Sequence, residues 1–233
     1  MPSLVDAARS QVGRKILSGI TGILLGIFII FHLIGNLTLF GSEQAFNIYS
    51  HTLESMGIFL YLFEIGLVLV FLVHAYIGVA IWLRKRKRRP VGYEKYSSMG
   101  DPSKQTFSSR SMIFTGIILL IFTVTHVATF KYGDTQMITV DGTQMKDLKA
   151  LVINTFQNPW YVIYYIVVMI LLGFHLRHGA WSAFTSLTMK GGTKTSAVVY
   201  TVGTIFAVLM AVGFLFIPLY IYATGGTGAL IAS

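Results

Sequence analysis

Five long apolar runs dominate this sequence and restrict what it can fold into. A helix that crosses a membrane needs about 20 mainly apolar residues, each adding about 1.5 Å. Five segments are long enough, at roughly 16–40, 57–83, 111–131, 159–185 and 197–222. Only 12% of the residues are charged, about half the fraction that is usual in soluble domains. We therefore expect an all-α membrane protein in which residues 1–233 form a single transmembrane domain.

The basic residues predict how the spans are oriented. Fourteen of the 18 Lys and Arg residues lie in the N-terminal segment and in the loops after spans two and four, including the block 84–89. The opposite side carries Lys131, Lys146 and Lys149. By the positive-inside rule, the N-terminus is cytoplasmic and the C-terminus lies outside. The net charge of +9 is thus interpreted as an orientation signal rather than as a sign of nucleic-acid binding.

The chain contains no cysteine, which excludes disulfides, thiolate metal sites and iron–sulfur ligation by its own residues. Arg14 and Lys15 precede the first apolar run. That run is too long for a removable signal peptide and lacks a small-residue cleavage site, so no signal peptide is expected.

Four histidines lie within the spans, one in each of the first four, and each needs a functional explanation because ionisable groups are costly in hydrocarbon. His32 and His126 lie 17 and 16 residues after Lys15 and Arg110, about 25 Å from the cytoplasmic edge. His74 and His175 lie 17 and 16 residues after Gly57 and Pro159, about 25 Å from the outer edge. The sequence therefore predicts an outer pair, His32 with His126, and an inner pair, His74 with His175.

Two imidazoles at one depth on two helices can bind one iron from both faces of a porphyrin. Such coordination leaves no open iron position and suits electron transfer. A single histidine would more often form a hydrogen bond to a neighbouring helix, but four residues matched in depth favour two b haems. A zinc site is less favoured, because no carboxylate or thiolate joins the pairs. Glycines near the histidines indicate close helix packing or room for a flat macrocycle.

Three further residues are assigned weaker roles. His178 follows His175 by three residues and shares roughly one helix face with it. With its neighbour Arg177, it is a candidate for a contact to a haem propionate or a lipid headgroup, rather than for an iron ligand. His51 lies in the first outer loop, where it is solvated or lines a pocket.

The segments around the histidines resemble the di-haem cytochrome b membrane subunit of the succinate:quinone oxidoreductase family, which includes succinate dehydrogenases and fumarate reductases. The resembling stretches are FHLIGNLTLFGSEQAFNIYSHTLES at 31–55, LVHAYIGVAIWL at 72–83, SRSMIFTGIILLIFTVTHVATF at 109–130 and GFHLRHGAWSAF at 173–184. With the five-helix plan, they cover nearly the whole chain.

The resemblance implies that the first four helices form the haem-binding bundle. His32 and His126 would ligate the distal haem iron, and His74 and His175 the proximal one. The His directly after Phe in the FHL motif is the family ligand, which supports His175 over His178.

The resemblance also implies two partners on the cytoplasmic face, a flavoprotein subunit with FAD and an iron–sulfur subunit, in the cytoplasmic membrane of a bacterium. Family members with two haems commonly use menaquinone near the distal haem. Some carry an acidic residue near the outer end of helix two that handles quinol protons, and Glu54 is the matching candidate. Glu54 could instead be an acid that stabilises a helix N-terminus. Glu64, in span two, could serve as a proton relay.

Two rival functions remain open at this stage. One is a membrane cytochrome b that serves another dehydrogenase, such as a formate or hydrogen enzyme. The other is a transporter whose histidines relay protons.

Overall fold

The computed structural model describes residues 10–88, 107–188 and 193–226. Five helices in it are long and apolar enough to cross a membrane: Gln11–Phe40, Ile58–Arg88, Met112–Phe130, Pro159–Leu187 and Thr195–Thr224. These helices confirm the predicted all-α membrane fold and match the five apolar runs.

The first two long helices are joined by a helical segment. Helix α1 (Gln11–Leu37) continues into a 3₁₀ turn at Thr38–Phe40. Helix α2 (Ala45–Ser55) follows at the same end of the bundle, and α3 (Ile58–Arg88) runs back along α1. Gly57 separates α2 from α3 with a φ of +56°, a backbone conformation that glycine adopts at no steric cost.

The connection between the third and fourth spans is also structured. After α4 (Phe107–Arg110) and α5 (Met112–Phe130) come strands β1 (Met137–Val140) and β2 (Thr143–Lys146), paired antiparallel, and then helix α6 (Leu148–Phe156). Asp141 and Gly142, with φ values of 49° and 79°, form the two-residue turn that an Asp-Gly pair favours between strands.

The last two helices form the best-packed part of the molecule. Helix α7 (Pro159–Thr188) lies against α8 (Thr193–Thr224), α1 and α5. Small residues bring α7 and α8 together: a Cβ at Gly173 would lie 3.1 Å from Ala211 Cβ, and one at Gly203 would lie 3.1 Å from Ala180 Cβ. Small residues commonly let membrane helices approach each other this closely.

Helix α3 is peripheral by comparison. Its only fully buried side chain in the described chain is Ile77, and most of its apolar side chains are exposed, as suits a surface that faces lipid tails. The helix nevertheless contacts α1 and α5, which places His74 on the inside of the bundle.

Candidate functional site

The outer part of the bundle brings His32 and His126 together. Their ring centroids lie 5.6 Å apart and their planes are nearly perpendicular, at 85°. Aromatic rings surround the pair: Phe28 stacks on His32 at 5.3 Å, and Phe122 lies 5.4 Å from His126. The Nδ1 atom of His126 is 2.9 Å from the hydroxyl of Tyr165 on α7.

The inner part brings His74 and His175 together, with ring centroids 6.4 Å apart. Each of these imidazoles contacts a threonine on a neighbouring helix. Nδ1 of His74 lies 3.1 Å from Oγ1 of Thr21 on α1. Nδ1 of His175 lies 3.1 Å from Oγ1 of Thr115 on α5. The structure therefore places the four histidines in the two pairs that the depth count predicted.

The spacing within each pair can be compared with what one iron requires. Imidazole nitrogens bind first-row metals at about 2.0–2.1 Å. A ring centroid lies roughly 1.2 Å behind the ligating nitrogen, so two imidazoles on one iron have centroids roughly 6.5 Å apart. The inner value of 6.4 Å matches that spacing, and the outer value of 5.6 Å is about 0.9 Å shorter. A pair of neutral imidazoles, with Nδ1 hydrogen-bonded on three of the four rings, is a donor set that fits haem iron.

Two glycines face the inner pair. A Cβ at Gly22 would lie 3.4 Å from Cε1 of His74, and a Cβ at Gly116 would lie 3.5 Å from Cε1 of His175. Gly19, by contrast, lies against the α7 backbone at Ala183, where a Cβ would be 3.4 Å away. The glycines of the bundle thus divide between positions beside a histidine and positions of close helix packing.

A cavity of about 440 Å³ opens between the start of α1 and the C-terminal parts of α3 and α7. Its polar lining comes from these side chains: Lys15, Ser18, Ser182, Thr185 and Ser186. Ser182 follows His175 by seven residues, about 10 Å along the helix axis. The cavity is thus on the side of the inner pair that faces away from His32 and His126.

Arg177 and His178 were candidates for a propionate contact. The guanidinium of Arg177 donates a hydrogen bond to the hydroxyl of Tyr200 on α8 and lies 5.4 Å from the centroid of that ring. His178 is half-buried one position further along α7. Arg177 therefore joins α7 to α8, and a propionate contact by either residue stays a prediction.

The acidic residues that were singled out are both paired with lysines. Glu54, in the last turn of α2, accepts a hydrogen bond from Lys146 of β2 at 2.8 Å, and both side chains are half-exposed. Glu54 also lies four residues before α3 begins, so a stabilising role at the N-terminus of α3 stays a prediction. Glu64 forms an ion pair with Lys131, at the end of α5. His51 is half-buried in α2.

Three residues whose hydroxyls lie within hydrogen-bond distance of a histidine were not predicted from the sequence: Thr21, Thr115 and Tyr165. A signal for the two threonines is present in the sequence. Thr21-Gly22 precedes His32 by 11 residues, and Thr115-Gly116 precedes His126 by the same 11 residues. Eleven residues make about three helical turns, so Thr and His share one helix face. Tyr165 has no comparable sequence signal.

The model of the succinate dehydrogenase/fumarate reductase transmembrane subunit family matches residues 85–215, more than half of the chain. The chain belongs to this family. It is therefore a multi-pass membrane protein and a membrane subunit of a succinate dehydrogenase or fumarate reductase complex. The matched region includes His126 and His175. No curated protein and no solved structure matches the chain.

Proposed function

We propose that this chain is the membrane anchor and electron-transfer subunit of a succinate:quinone oxidoreductase, with two b haems between a cytoplasmic iron–sulfur subunit and membrane menaquinone. The observation that carries the proposal is the pair of bis-histidine sites at two depths. Along α1, 11 residues separate Thr21, beside the inner pair, from His32 in the outer pair, which corresponds to about 16 Å. Bound haems would supply two one-electron redox centres spaced across the membrane.

The chain's own residues would hold these groups. His74 and His175 would bind the proximal haem iron, and His32 and His126 the distal one. Lys15 and the hydroxyls of the cavity would suit the propionate edge of the proximal haem, because a cation and hydroxyl donors both stabilise carboxylates. The aromatic residues around the outer pair exclude water from the imidazoles.

Partner docking is assigned to the cytoplasmic face. The basic end of α3, from Arg84 to Arg88, is exposed there. It is available to the iron–sulfur subunit, which would be joined by the flavoprotein that carries FAD and the dicarboxylate chemistry. The same residues also fix the topology and attract anionic lipid headgroups.

The test is purification from native membranes in a mild detergent, followed by identification of the bound subunits, haem quantification as the pyridine haemochrome and a succinate-reduced spectrum. We expect two low-spin b haems per chain and co-purification of a flavin- and iron–sulfur-containing pair. One haem or none, or ready binding of carbon monoxide by the reduced protein, would show that the two-haem assignment is wrong. Co-purification with a different dehydrogenase would identify the rival cytochrome function.

Glu54 is proposed to handle quinol protons at the outer face. We expect Glu54→Gln to impair quinone turnover while leaving both haems, and succinate reduction of an artificial dye, unchanged. Lys146→Gln is the matched control, because it breaks the same ion pair but keeps the carboxylate. If both variants lose quinone activity equally, the ion pair matters rather than proton transfer. Full quinone turnover in Glu54→Gln would show that Glu54 is only a surface carboxylate.

A further inference from the structure

Two buried threonines hold the inner histidines in the same way. Thr21 is 7% exposed and Thr115 is 2% exposed. The hydroxyl of Thr21 lies 2.7 Å from the carbonyl oxygen of Leu17, one turn earlier in its own helix. The hydroxyl of Thr115 lies 3.1 Å from the carbonyl oxygen of Ser111 in the equivalent position. In both cases the hydroxyl also contacts Nδ1 of an imidazole on another helix.

The proton count of a hydroxyl determines which way these bonds run. A threonine hydroxyl has one proton and two acceptor lone pairs. Helix carbonyls can only accept, so a hydroxyl that donates to the carbonyl one turn back has a lone pair to offer to the imidazole. In that arrangement the imidazole Nδ1–H is the donor. With the proton on Nδ1, the lone pair of the neutral ring lies on Nε2, the nitrogen that is free to bind a metal.

The arrangement is repeated within the bundle. Thr-Gly occurs 11 residues before a histidine in α1 and again in α5. Each of these helices therefore contributes its own outer histidine and also the hydroxyl that holds an inner histidine of another helix. Helices α3 and α7 contribute the inner histidines themselves. The inner pair thus has two equivalent hydroxyl partners, one for each histidine. In the outer pair, the hydroxyl of Tyr165 lies within hydrogen-bond distance of one histidine of the pair, His126.

We propose that Thr21 and Thr115 are positioning residues that fix His74 and His175 as Nδ1–H tautomers and tune the inner haem by accepting hydrogen bonds from both axial ligands. The proposal rests on the proposed function. An acceptor on Nδ1 makes the imidazole a stronger electron donor and stabilises ferric iron. The hydroxyls therefore lower the midpoint potential of the inner haem and slow the loss of that haem from the protein.

The experiment uses Thr21→Val and Thr115→Val in the purified complex. Valine keeps the branched shape and removes the acceptor, so these variants separate hydrogen bonding from packing. Redox titration followed optically gives the midpoint potential of each haem, and transfer to a haem scavenger gives the rate of haem loss. We expect the inner potential to rise and the inner haem to be held about 10–100-fold less tightly, with the outer haem unchanged. Thr21→Ser and Thr115→Ser, which retain the hydroxyl, should behave like the wild type.

Thr123→Val in α5 is the matched control. The hydroxyl of Thr123 is half-buried and, within the described residues, bonds only the carbonyl oxygen of Leu119, at 2.8 Å. Valine variants of Thr21 and Thr115 that match the wild type in both measurements would overturn the proposal. Serine variants that behave like valine, or a Thr123→Val variant with the same shift, would also overturn it. A wild-type complex without an inner haem would instead contradict the proposed function, so the two failures are distinguishable.

Discussion

At the scale of single residues, the intramembrane histidines satisfy two demands at once. A buried imidazole needs partners for its ring nitrogens. His74, His126 and His175 each use Nδ1 in a hydrogen bond to a neighbouring helix, as expected for histidines that merely join helices. Each ring still has a second nitrogen, and each lies beside another imidazole. Interhelical hydrogen bonding and metal ligation therefore use different atoms and are compatible.

Removing one histidine should remove one haem. His74→Ala or His175→Ala should eliminate the inner haem, and His32→Ala or His126→Ala the outer one, because an iron that loses one of its two imidazoles is held by the other imidazole alone. His178→Ala is the control and should retain both haems. Haem content and low-temperature spectra measure the outcome. Loss of haem in His178→Ala, with retention in His175→Ala, would show that the wrong ligand was chosen in α7.

The outer pair offers a parallel test at Tyr165, which is 6% exposed and whose hydroxyl contacts Nδ1 of His126. Tyr165→Phe removes this partner without opening a cavity. We expect the outer haem to bind about 10–100-fold more weakly, and its midpoint potential to rise if Tyr165 is the acceptor. Haem-loss kinetics and redox titration measure both effects.

Tyr164→Phe is the control for this substitution. The hydroxyl of Tyr164 contacts Thr125 at 2.9 Å rather than a histidine, so both haems should keep their wild-type properties. An outer haem that is indistinguishable between Tyr165→Phe and the wild type would contradict the assigned contact.

At the scale of elements, α2, the β-hairpin and α6 form a cap over the outer end of the bundle, and Asn47 joins its parts. Asn47 is 2% exposed. Its side chain donates to Asp147 Oδ1 at 3.0 Å and accepts from the backbone N–H of Lys149 at 2.9 Å. Asp147 also accepts from the N–H of Ala150 at 3.0 Å, which caps α6. One amide therefore ties α2 to the start of α6.

Asn47→Ala should loosen this cap. The change leaves the partly buried N–H of Lys149 without its acceptor and Asp147 without the amide donor of Asn47, which costs about 1–3 kcal/mol. Hydrogen exchange of the α6 amides should therefore accelerate. Gln144→Ala is the control, because its exposed side chain makes one long contact of 3.5 Å to Thr139, and surface changes of that kind stay within about 0.5 kcal/mol. Unchanged α6 exchange in Asn47→Ala would show that the cap is held elsewhere.

At the scale of the whole molecule, the charge distribution predicts which end of the bundle meets the proposed soluble partners. The basic end of α3 and the cap lie at opposite ends of the bundle. In the proposed function, electrons that enter from a cytoplasmic partner and leave to a quinone near the outer pair would cross the membrane potential, at about 2.3 kcal/mol per charge for each 100 mV. Under that proposal, the orientation would be part of the function and not only of the assembly.

The orientation can be measured directly, because the chain has no cysteine and a single introduced thiol reports one position. We expect Thr139→Cys, exposed in the hairpin, to react with a membrane-impermeant maleimide in intact cells. Lys87→Cys, exposed at the end of α3, should react only after permeabilisation. The wild-type chain is the blank. The reverse labelling pattern would invert the topology and move the partner-binding face to the hairpin side.

The sequence by itself determined the five spans, their expected orientation and the pairing of the four histidines by depth. The spans and the pairing agree with the structure because apolar length and the constant rise of a helix are local properties, and the orientation stays a prediction. The contacts around the histidines depend on how each helix is rotated and which neighbour it meets, and only the tertiary structure decided that. Thr21 contacts His74 across 53 residues, and Glu54 contacts Lys146 across 92. Such contacts form only after the helices have packed, since no local pattern fixes which residues of two separate helices face each other.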